Sequence, residues 1–330
     1  MDNLTHTLTG WMLSRAGLNR WCPQASALLI LSSNAPDVDV VSALNGSLRY
    51  LECHRHATHA LPFAPLTALL PLLIVRLFTR KPFSWARAYA LSLCGVLGHA
   101  LFDFANVYGV RLFVPFTDRW FQADVVHVVD PWILLALLLA VAWPALASLV
   151  SSEIGARRKS GRGWAVLALA FVLTYGAVRV VLHSRAVEIL NARTYQGEAP
   201  RRVAAWPTIF NPFRWIGYAE GATFHSLHSV NLLENFDPTV GAIYYKPERS
   251  PKVEAALNDP AVRSYLGFAR YACWRITPVN EPEGATQVEI FDLRFGSPQA
   301  PRFITSVLLD AQNRVIESRF TFGPFRAETR

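Results

Sequence analysis

The sequence predicts an α-helical membrane domain with about four spanning helices and a short N-terminal helical hairpin, followed by a small soluble α+β domain. Hydrophobic residues make up 52% of the chain and charged residues 17%, and the mean hydropathy is +0.22. Soluble domains carry about a quarter charged residues. The apolar residues concentrate between 61 and 183, whereas the last third is globular in composition. We therefore place the membrane domain at 1–190 and the soluble domain at 196–330.

Four long apolar segments are predicted to cross the membrane. The run from Trp132 to Val150 carries no charge, which argues against the alternative of a buried four-helix core. Two earlier segments, 4–17 and 21–33, are shorter than the roughly 20 residues that span a bilayer. Because Pro36 disfavours further helix, we expect these two segments to form a short hairpin held among the longer helices. The four predicted spans are 61–78, 85–103, 131–150 and 164–182.

Lysine and arginine in the short connections predict the orientation of these spans. Cytoplasmic loops carry an excess of both residues, so the three basic connections are predicted to be cytoplasmic. The membrane domain then begins and ends outside. The basic residues form no single patch, so the net charge of +8 does not indicate nucleic-acid binding. The basic connections contain Arg15 and Arg20; Arg80, Lys81 and Arg87; and Arg157, Arg158, Lys159 and Arg162.

The C-terminal third predicts a mostly antiparallel sheet. Residues 287–294 alternate between polar and apolar side chains, as do 314–322, and such runs are typical of strands. Asn313 marks a hairpin turn after the run 303–310, and residues 251–269 predict one or two short helices. Two histidines in this part, His225 and His228, are predicted to be surface or core residues rather than ligands.

Histidine and aspartate recur next to the apolar segments, on the side predicted to face outward. His99 and Asp103 are four residues apart, so on a helix they share one face. The alternative is a core histidine near a helix end, with Asp103 facing water. Pro36-Asp37-Val38-Asp39 presents two carboxylates after a helix end, and three histidines fall between His54 and His59.

Together these motifs predict a metal site. Ionisable residues within or beside membrane segments are costly and usually functional. Nitrogen and oxygen ligands without sulfur suit Zn²⁺, with Mn²⁺ and Fe²⁺ as alternatives. The predicted ligands are His6, Asp37, His54, His59, His99 and Asp103.

The order of these motifs resembles the bacterial inner-membrane metal-dependent hydrolase family of the YdjM/YbcI type. The resemblance covers 1–183 and rests on Thr-His-Thr, Pro-Asp-Val-Asp, His-Arg-x-Ala-Thr-His, Gly-His-x-Leu-x-Asp and Asp-Pro-Trp. Two positions depart from the family pattern, His56 where glycine is frequent and Ala60 where serine is frequent. More distantly, the motif order is similar to zinc-dependent phospholipase C and P1-type nucleases, which cleave phosphoesters with a zinc cluster.

These resemblances imply a membrane-bound hydrolase in which metal-activated water attacks a phosphoester of a lipid or another envelope molecule, at the outer face of the cytoplasmic membrane. Asp39 is a candidate ligand, bridging carboxylate or partner that orients a histidine. Arg55 is a candidate for holding a phosphate oxygen, with a salt bridge to Asp39 or Asp103 as its alternative role. Asp118 and Asp130 are candidate general bases or supporting residues, with helix capping as their alternative.

Two other classes of function stay open at this point. A transporter or ion pathway predicts ionisable residues spread through the membrane depth, whereas these cluster at one side. A non-catalytic membrane scaffold with a structural metal uses the same ligand types. An open coordination position with a cleft leading to it favours the enzyme.

Overall fold

The computed structural model describes residues 1–79, 82–153 and 161–323. Four helical segments in it are long and apolar enough to cross a membrane: Leu61–Phe78, Trp85–Ala105, Pro131–Leu149 and Arg162–Asn191. The prediction of about four membrane helices is thereby confirmed. The helices of this region are α1 Asn3–Ala16, α2 Ala25–Ser32, α3 Ser47–Cys53, α4 Ala64–Thr67, α5 Leu69–Phe78, α6 Trp85–Ala105, α7 Pro131–Glu153 and α8 Arg162–Asn191.

The N-terminal hairpin forms as predicted. The Asp2 side chain caps α1 by accepting a hydrogen bond from the Thr5 backbone N–H. After α2 the chain continues as a 3₁₀ segment, Ala35–Asn45, at an angle of 41° to that helix. The pair α2 and the 3₁₀ segment is apolar and long enough to count as a fifth, bent span. Pro36 lies at the bend, where it ends regular helix.

Helix α8 runs further than the sequence predicted. The apolar run ends near residue 182, yet the helix continues to Asn191. His183 therefore lies inside the helix, with Nε2 3.0 Å from the Ala205 carbonyl oxygen, rather than in a loop after it. The extension is stable because Ala186 and Leu190 are fully buried against the first sheet. Hydropathy alone does not reveal a helix that leaves the membrane and packs on protein.

The C-terminal region contains two four-stranded antiparallel sheets rather than one. The first has the order β1-β2-β3-β4 and the second has the order β10-β9-β6-β5, with helices α9 and α10 between them in sequence. The predicted hairpin turn is present, since Asn313 has a φ of 62° between two strands. The elements are β1 Arg202–Pro207, β2 Arg214–Glu220, β3 Phe224–Asn231, β4 Ala242–Tyr245, α9 Pro251–Asn258, α10 Pro260–Phe268, β5 Ala272–Pro278, β6 Thr286–Asp292, β7 Gly296–Ser297, β8 Ala300–Pro301, β9 Ile304–Leu309 and β10 Val315–Thr321.

His225 and His228 are core residues of this region, as predicted. His225 is buried in β3, and its Nδ1 lies 2.8 Å from the Tyr218 hydroxyl. The Nδ1 of His228 donates to the Val240 carbonyl oxygen at 3.0 Å.

The C-terminal region packs against one end of the helical region. The Arg294 guanidinium donates to the Val107 carbonyl at 3.0 Å, and the Ser47 hydroxyl donates to the Phe320 carbonyl at 2.6 Å. Three described basic residues, Arg15, Arg87 and Arg162, lie at the opposite end, where Arg162 Nε donates to the Ala16 carbonyl at 2.8 Å. Five basic residues used for the orientation lie outside the described residues: Arg80, Lys81, Arg157, Arg158 and Lys159.

Candidate metal centre

The structure brings all six predicted ligands to one place, under the C-terminal region. Helix α6 supplies two of them, one turn apart, because residues four apart share a helix face. The other four come from helix α1, the 3₁₀ segment and the loop after α3. All three sets of side chains that can hold a cation among the described residues lie here: His6, His99 and Asp103; Asp37, His59 and His99; and Asp37, Asp39 and His54.

Two carboxylate oxygens each lie close to the same two imidazole nitrogens. Asp37 Oδ1 lies 3.3 Å from His59 Nε2 and 3.6 Å from His99 Nε2. Asp103 Oδ2 lies 3.5 Å and 3.3 Å from the same two nitrogens. Bonds of about 2.0–2.1 Å to a tetrahedral Zn²⁺ would separate its ligand atoms by about 3.3 Å. Asp37, His59 and His99, one of the three sets named above, therefore have spacings suited to one zinc ion, with Asp103 beside them.

The two imidazoles are oriented by their other nitrogens. His99 Nδ1 donates to the Ser33 carbonyl oxygen at 2.7 Å. His59 Nδ1 lies 3.0 Å from the Thr58 hydroxyl and 3.3 Å from Asp39 Oδ2. A proton held on each Nδ1 leaves the Nε2 lone pair free for a cation.

Several atoms of the centre are buried without a hydrogen-bond partner among the residues of the structure. They include His59 Nε2, His99 Nε2 and Asp103 Oδ2. Such buried, unpaired polar atoms are rare in folded proteins, and an ion is one of the groups that satisfies them. Burial opposes protonation of His59, but the nearby carboxylates of Asp37 and Asp39 outweigh that effect and raise its pKa. The site thus attracts positive charge.

His6 lies beside these side chains and faces the second oxygen of Asp103. Its ring stacks on His99 with centroids 3.8 Å apart, and its Nε2 is 3.7 Å from Asp103 Oδ1. The Met1 α-amino group contacts that same oxygen. Burial lowers the pKa of His6 to about 3, so the imidazole is in the neutral form that binds metals. Asp103 Oδ1 is thus paired with two cationic groups of the protein, the Met1 amino group and the Arg55 guanidinium.

Asp39 orients histidines, which is one of the three roles that its sequence position left open. It accepts hydrogen bonds from His54 Nδ1 at 2.9 Å, the Arg55 backbone N–H at 2.9 Å and the Thr58 hydroxyl at 3.1 Å. Asp39 also orients His59. Its Oδ2 lies 3.3 Å from His59 Nδ1, and Thr58, which donates to Asp39, lies 3.0 Å from the same nitrogen. His54, by contrast, lines the cavity described below.

Arg55 forms the salt bridge that was its alternative role. Its guanidinium is 2.9 Å from Asp103 Oδ1 and donates to the Gly109 carbonyl at 2.8 Å. The guanidinium carbon lies 4.5 Å from the centre of the Tyr108 ring. Arg55 thus balances the charge of Asp103 while also lining the cavity.

The structure does not bring Asp118 and Asp130 to the centre. The Asp118 side chain is 81% exposed and pairs with His56 Nε2 at 3.3 Å. Asp130 caps α7, accepting from the Trp132 and Ile133 backbone N–H groups at 3.1 and 3.2 Å. A carboxylate just before a helix satisfies its free N–H groups, and this capping role is what the structure shows for Asp130.

A cavity of 910 Å³ adjoins the centre, between the helical region and the two sheets. Its walls are mainly apolar, yet three arginines line it: Arg55, Arg294 and Arg302. Among the described residues lining it, Asp37 is the only carboxylate. Sequence reasoning missed most of this lining because it comes from residues far apart in the chain. The missed residues include Tyr50, His127, Trp206, Arg294 and Arg302.

Comparison with known proteins covers nearly the whole chain. A family model described as YdjM inner membrane protein matches residues 1–186. A second, described as the YfhP C-terminal alpha/beta plait domain, matches residues 251–325. The uncharacterized protein YfhP of Bacillus subtilis (strain 168) is 24% identical over 342 residues, which cover 99% of this chain and 97% of that protein. No solved structure matches. The similarity to phospholipase C and P1-type nucleases is not shown and stays a prediction.

Proposed function

The chain belongs to the YdjM inner membrane protein family, and from this premise we propose that it is a membrane-bound, metal-dependent hydrolase that cleaves a phosphoester at the outer face of the cytoplasmic membrane. One observation carries the proposal. Asp37, His59 and His99 form a set of three ligands that can hold one cation, and Asp37 lines a 910 Å³ cavity beside them. Structural zinc sites are closed, whereas catalytic sites keep a position open toward substrate.

Asp37, His59 and His99 would hold Zn²⁺ and leave a fourth position for water or substrate. Asp103, whose Oδ2 lies within 3.5 Å of both imidazole nitrogens, would add negative charge beside the ion. When bound, such ions supply Lewis acidity that activates water near neutral pH and stabilises phosphoester oxygens. Mn²⁺ or Fe²⁺ can take the same nitrogen and oxygen ligands.

The residues of the cavity would bind and orient the substrate. Arg302 adds positive charge to the lining, which favours an anionic group such as a phosphate. Arg294 also lines the cavity, but its guanidinium is paired with Asp292 at 2.8 Å. The Arg55 guanidinium is already paired with Asp103. It would therefore hold that carboxylate in place and would not itself bind substrate.

His54 and Asp39 form a pair suited to proton transfer. Asp39 holds the proton on His54 Nδ1, which leaves Nε2 to take a proton from water or give one to a leaving oxygen. The His54 side chain is 12% exposed and lines the cavity, where a substrate can reach it.

The position of the centre counts against a transporter. Its ligands gather at the end of the helices that carries the C-terminal region, whereas a relay needs ionisable groups along the membrane depth. The experiment below distinguishes an enzyme from a scaffold with a structural metal.

Two histidines of one loop provide the test. His59→Ala removes a buried ligand candidate, whereas His56→Ala removes a half-exposed histidine that pairs with Asp118. We expect His59→Ala to lower bound metal about tenfold or more and to abolish cleavage of the headgroup phosphoester in phospholipid vesicles. His56→Ala should keep both. Metal is measured by plasma mass spectrometry on detergent-purified protein, and cleavage by mass spectrometry of the lipid product and the released headgroup.

The outcomes separate the classes of function. Equal metal content in wild type and both variants would show that the site is wrong. A full metal load with no hydrolysis of any phosphoester offered would show a scaffold.

A further inference from the structure

The loop between β1 and β2, residues 208–213, exposes large apolar side chains on a backbone that is internally hydrogen-bonded. Ile209 is 45% exposed and Phe210 is 73% exposed. The Thr208 hydroxyl lies 3.1 Å from the Asn211 carbonyl and 3.0 Å from the Arg214 carbonyl. The Phe213 N–H donates to Asn211 Oδ1 at 2.9 Å. Internal hydrogen bonds of this kind lower the free-energy cost of transferring a loop from water to an apolar medium.

Two candidate membrane helices contact this loop near one end of their spans. Trp132 Nε1, in the first turn of α7, donates to the Phe210 carbonyl at 3.0 Å, and the candidate span of that helix begins at Pro131. Tryptophan is enriched at the membrane–water boundary. In α8 the Arg179 guanidinium donates to the Pro212 carbonyl. Arg179 follows Arg162 by 17 residues, or about 26 Å of helix, close to the roughly 30 Å of a bilayer core.

The same loop forms part of the wall of the cavity. Trp206, Ile209 and Ile216 line it on the side of the first sheet, and Val40 lines it from the 3₁₀ segment. That segment also exposes apolar side chains, including Leu44 at 86%. The cavity is thus flanked by two apolar elements, while its lining also includes arginines and His54.

We propose that residues 208–213 insert into the bilayer surface and that the cavity behind them takes up a phospholipid directly from the membrane. The acyl chain lies against Trp206, Ile209 and Ile216, and the anionic headgroup lies toward Arg302 and the metal centre. The hydrolysis of that lipid rests on the proposed function, whereas its uptake does not.

The first experiment measures where the loop lies. Phe210→Cys and Tyr245→Cys are spin-labelled in a Cys53→Ser/Cys94→Ser background and reconstituted in phosphatidylethanolamine/phosphatidylglycerol nanodiscs. Tyr245 is a matched control because it is 66% exposed at the other end of the same sheet, about 20 Å away. We expect the ratio of oxygen to nickel-chelate accessibility to be several-fold higher at 210 than at 245. Equal ratios would overturn the insertion of the loop.

The second experiment measures lipid uptake without requiring turnover. Phosphatidylglycerol with a photoreactive diazirine on one acyl chain is added to proteoliposomes, and crosslinked peptides are identified by mass spectrometry. We expect crosslinks within 202–216 that fall several-fold in Ile216→Glu, with crosslinks to α7 unchanged. Crosslinks on the membrane helices alone would overturn uptake. A protein that crosslinks in the cavity but cleaves neither phosphoester bond of the lipid would overturn the hydrolase proposal and leave uptake standing.

Discussion

Asp124 is a buried carboxylate in the connection between α6 and α7, and it faces the C-terminal region. It is 8% exposed and has a φ of 56°. Burial raises the pKa of Asp124 to about 6, although the positive charges of Arg294 and Arg270 partly offset that effect. Native Asp124 therefore holds its proton more tightly than the unfolded chain does.

This shift gives the stability a pH dependence of known sign. The contribution of Asp124 is fully present below the ordinary aspartate pKa and is lost as the pH rises to about 6. At neutral pH the charged form then costs on the order of 2–3 kcal/mol. We expect Asp124→Asn, which tolerates the positive φ, to stabilise the protein at pH 7.5 and to lose most of that advantage at pH 4.5.

Thermal unfolding in detergent at the two pH values measures the difference. Asp118→Asn is the matched control, because the Asp118 side chain is 81% exposed and its neutralisation should change the unfolding temperature little at either pH. If both variants changed the unfolding temperature alike at the two pH values, the result would contradict a pKa of Asp124 raised by burial.

The residues of the centre were predictable, whereas those of the cavity were not. His99 and Asp103 stand out because ionisable side chains are costly in an apolar helix. Arg294 and Trp206 lie in strand-rich sequence where such residues are ordinary, and only the long-range contacts place them beside His54. For Asp130, sequence position alone did not distinguish a catalytic carboxylate from a helix cap.

Among the elements, the contact between α2 and α6 controls the centre most directly. A Cβ on Gly95 would lie 1.9 Å from Ser32 Oγ and 2.9 Å from Ser32 Cβ, so glycine allows the two helices to approach. One turn further along α6, His99 Nδ1 donates to the Ser33 carbonyl. The close approach therefore sets the orientation of a predicted metal ligand.

Two glycines of α6 test this contact. We expect Gly95→Ala to force the helices apart, to destabilise the protein by about 1–3 kcal/mol and to weaken metal binding. A Cβ on Gly98 meets nothing within 4 Å among the described residues, so Gly98→Ala should keep the metal and be neutral or stabilising by up to about 1 kcal/mol. Unfolding temperature and metal affinity are measured for both. Equal effects would show that the contact does not position His99.

The membrane spans were predictable at the element scale because a helix of this length in a soluble protein carries charged residues along its exposed face. The predicted span 85–103 ends two residues before the observed end of α6. The 3₁₀ segment Ala35–Asn45 and the division of the C-terminal region into two sheets were not predictable. Both depend on packing between elements rather than on local hydropathy.

For the whole molecule, the distribution of basic residues supports an orientation. Arg15, Arg87 and Arg162 lie at one end of the helical region, while the metal centre and C-terminal region lie at the other. By the positive-inside rule we expect the basic end to face the cytoplasm. We expect alkaline phosphatase fused after residue 330 to be active and a fluorescent protein fused there, exported by the Sec route, to be dark. The opposite pair of results would place the C-terminal region and the metal centre on the cytoplasmic side. It would then contradict a substrate at the outer face of the membrane.

The continuity of α8 has a consequence for how such a protein can change during evolution. Its 30 residues extend about 45 Å, roughly 15 Å more than a bilayer core, and Ala186 and Leu190 on the projecting part are fully buried against the first sheet. Each added residue would raise that sheet by about 1.5 Å and rotate it by about 100°. Single-residue insertions or deletions between Arg179 and Leu190 would therefore swing the cavity wall away from the metal centre. Selection should accept substitutions along this segment while rejecting changes in its length.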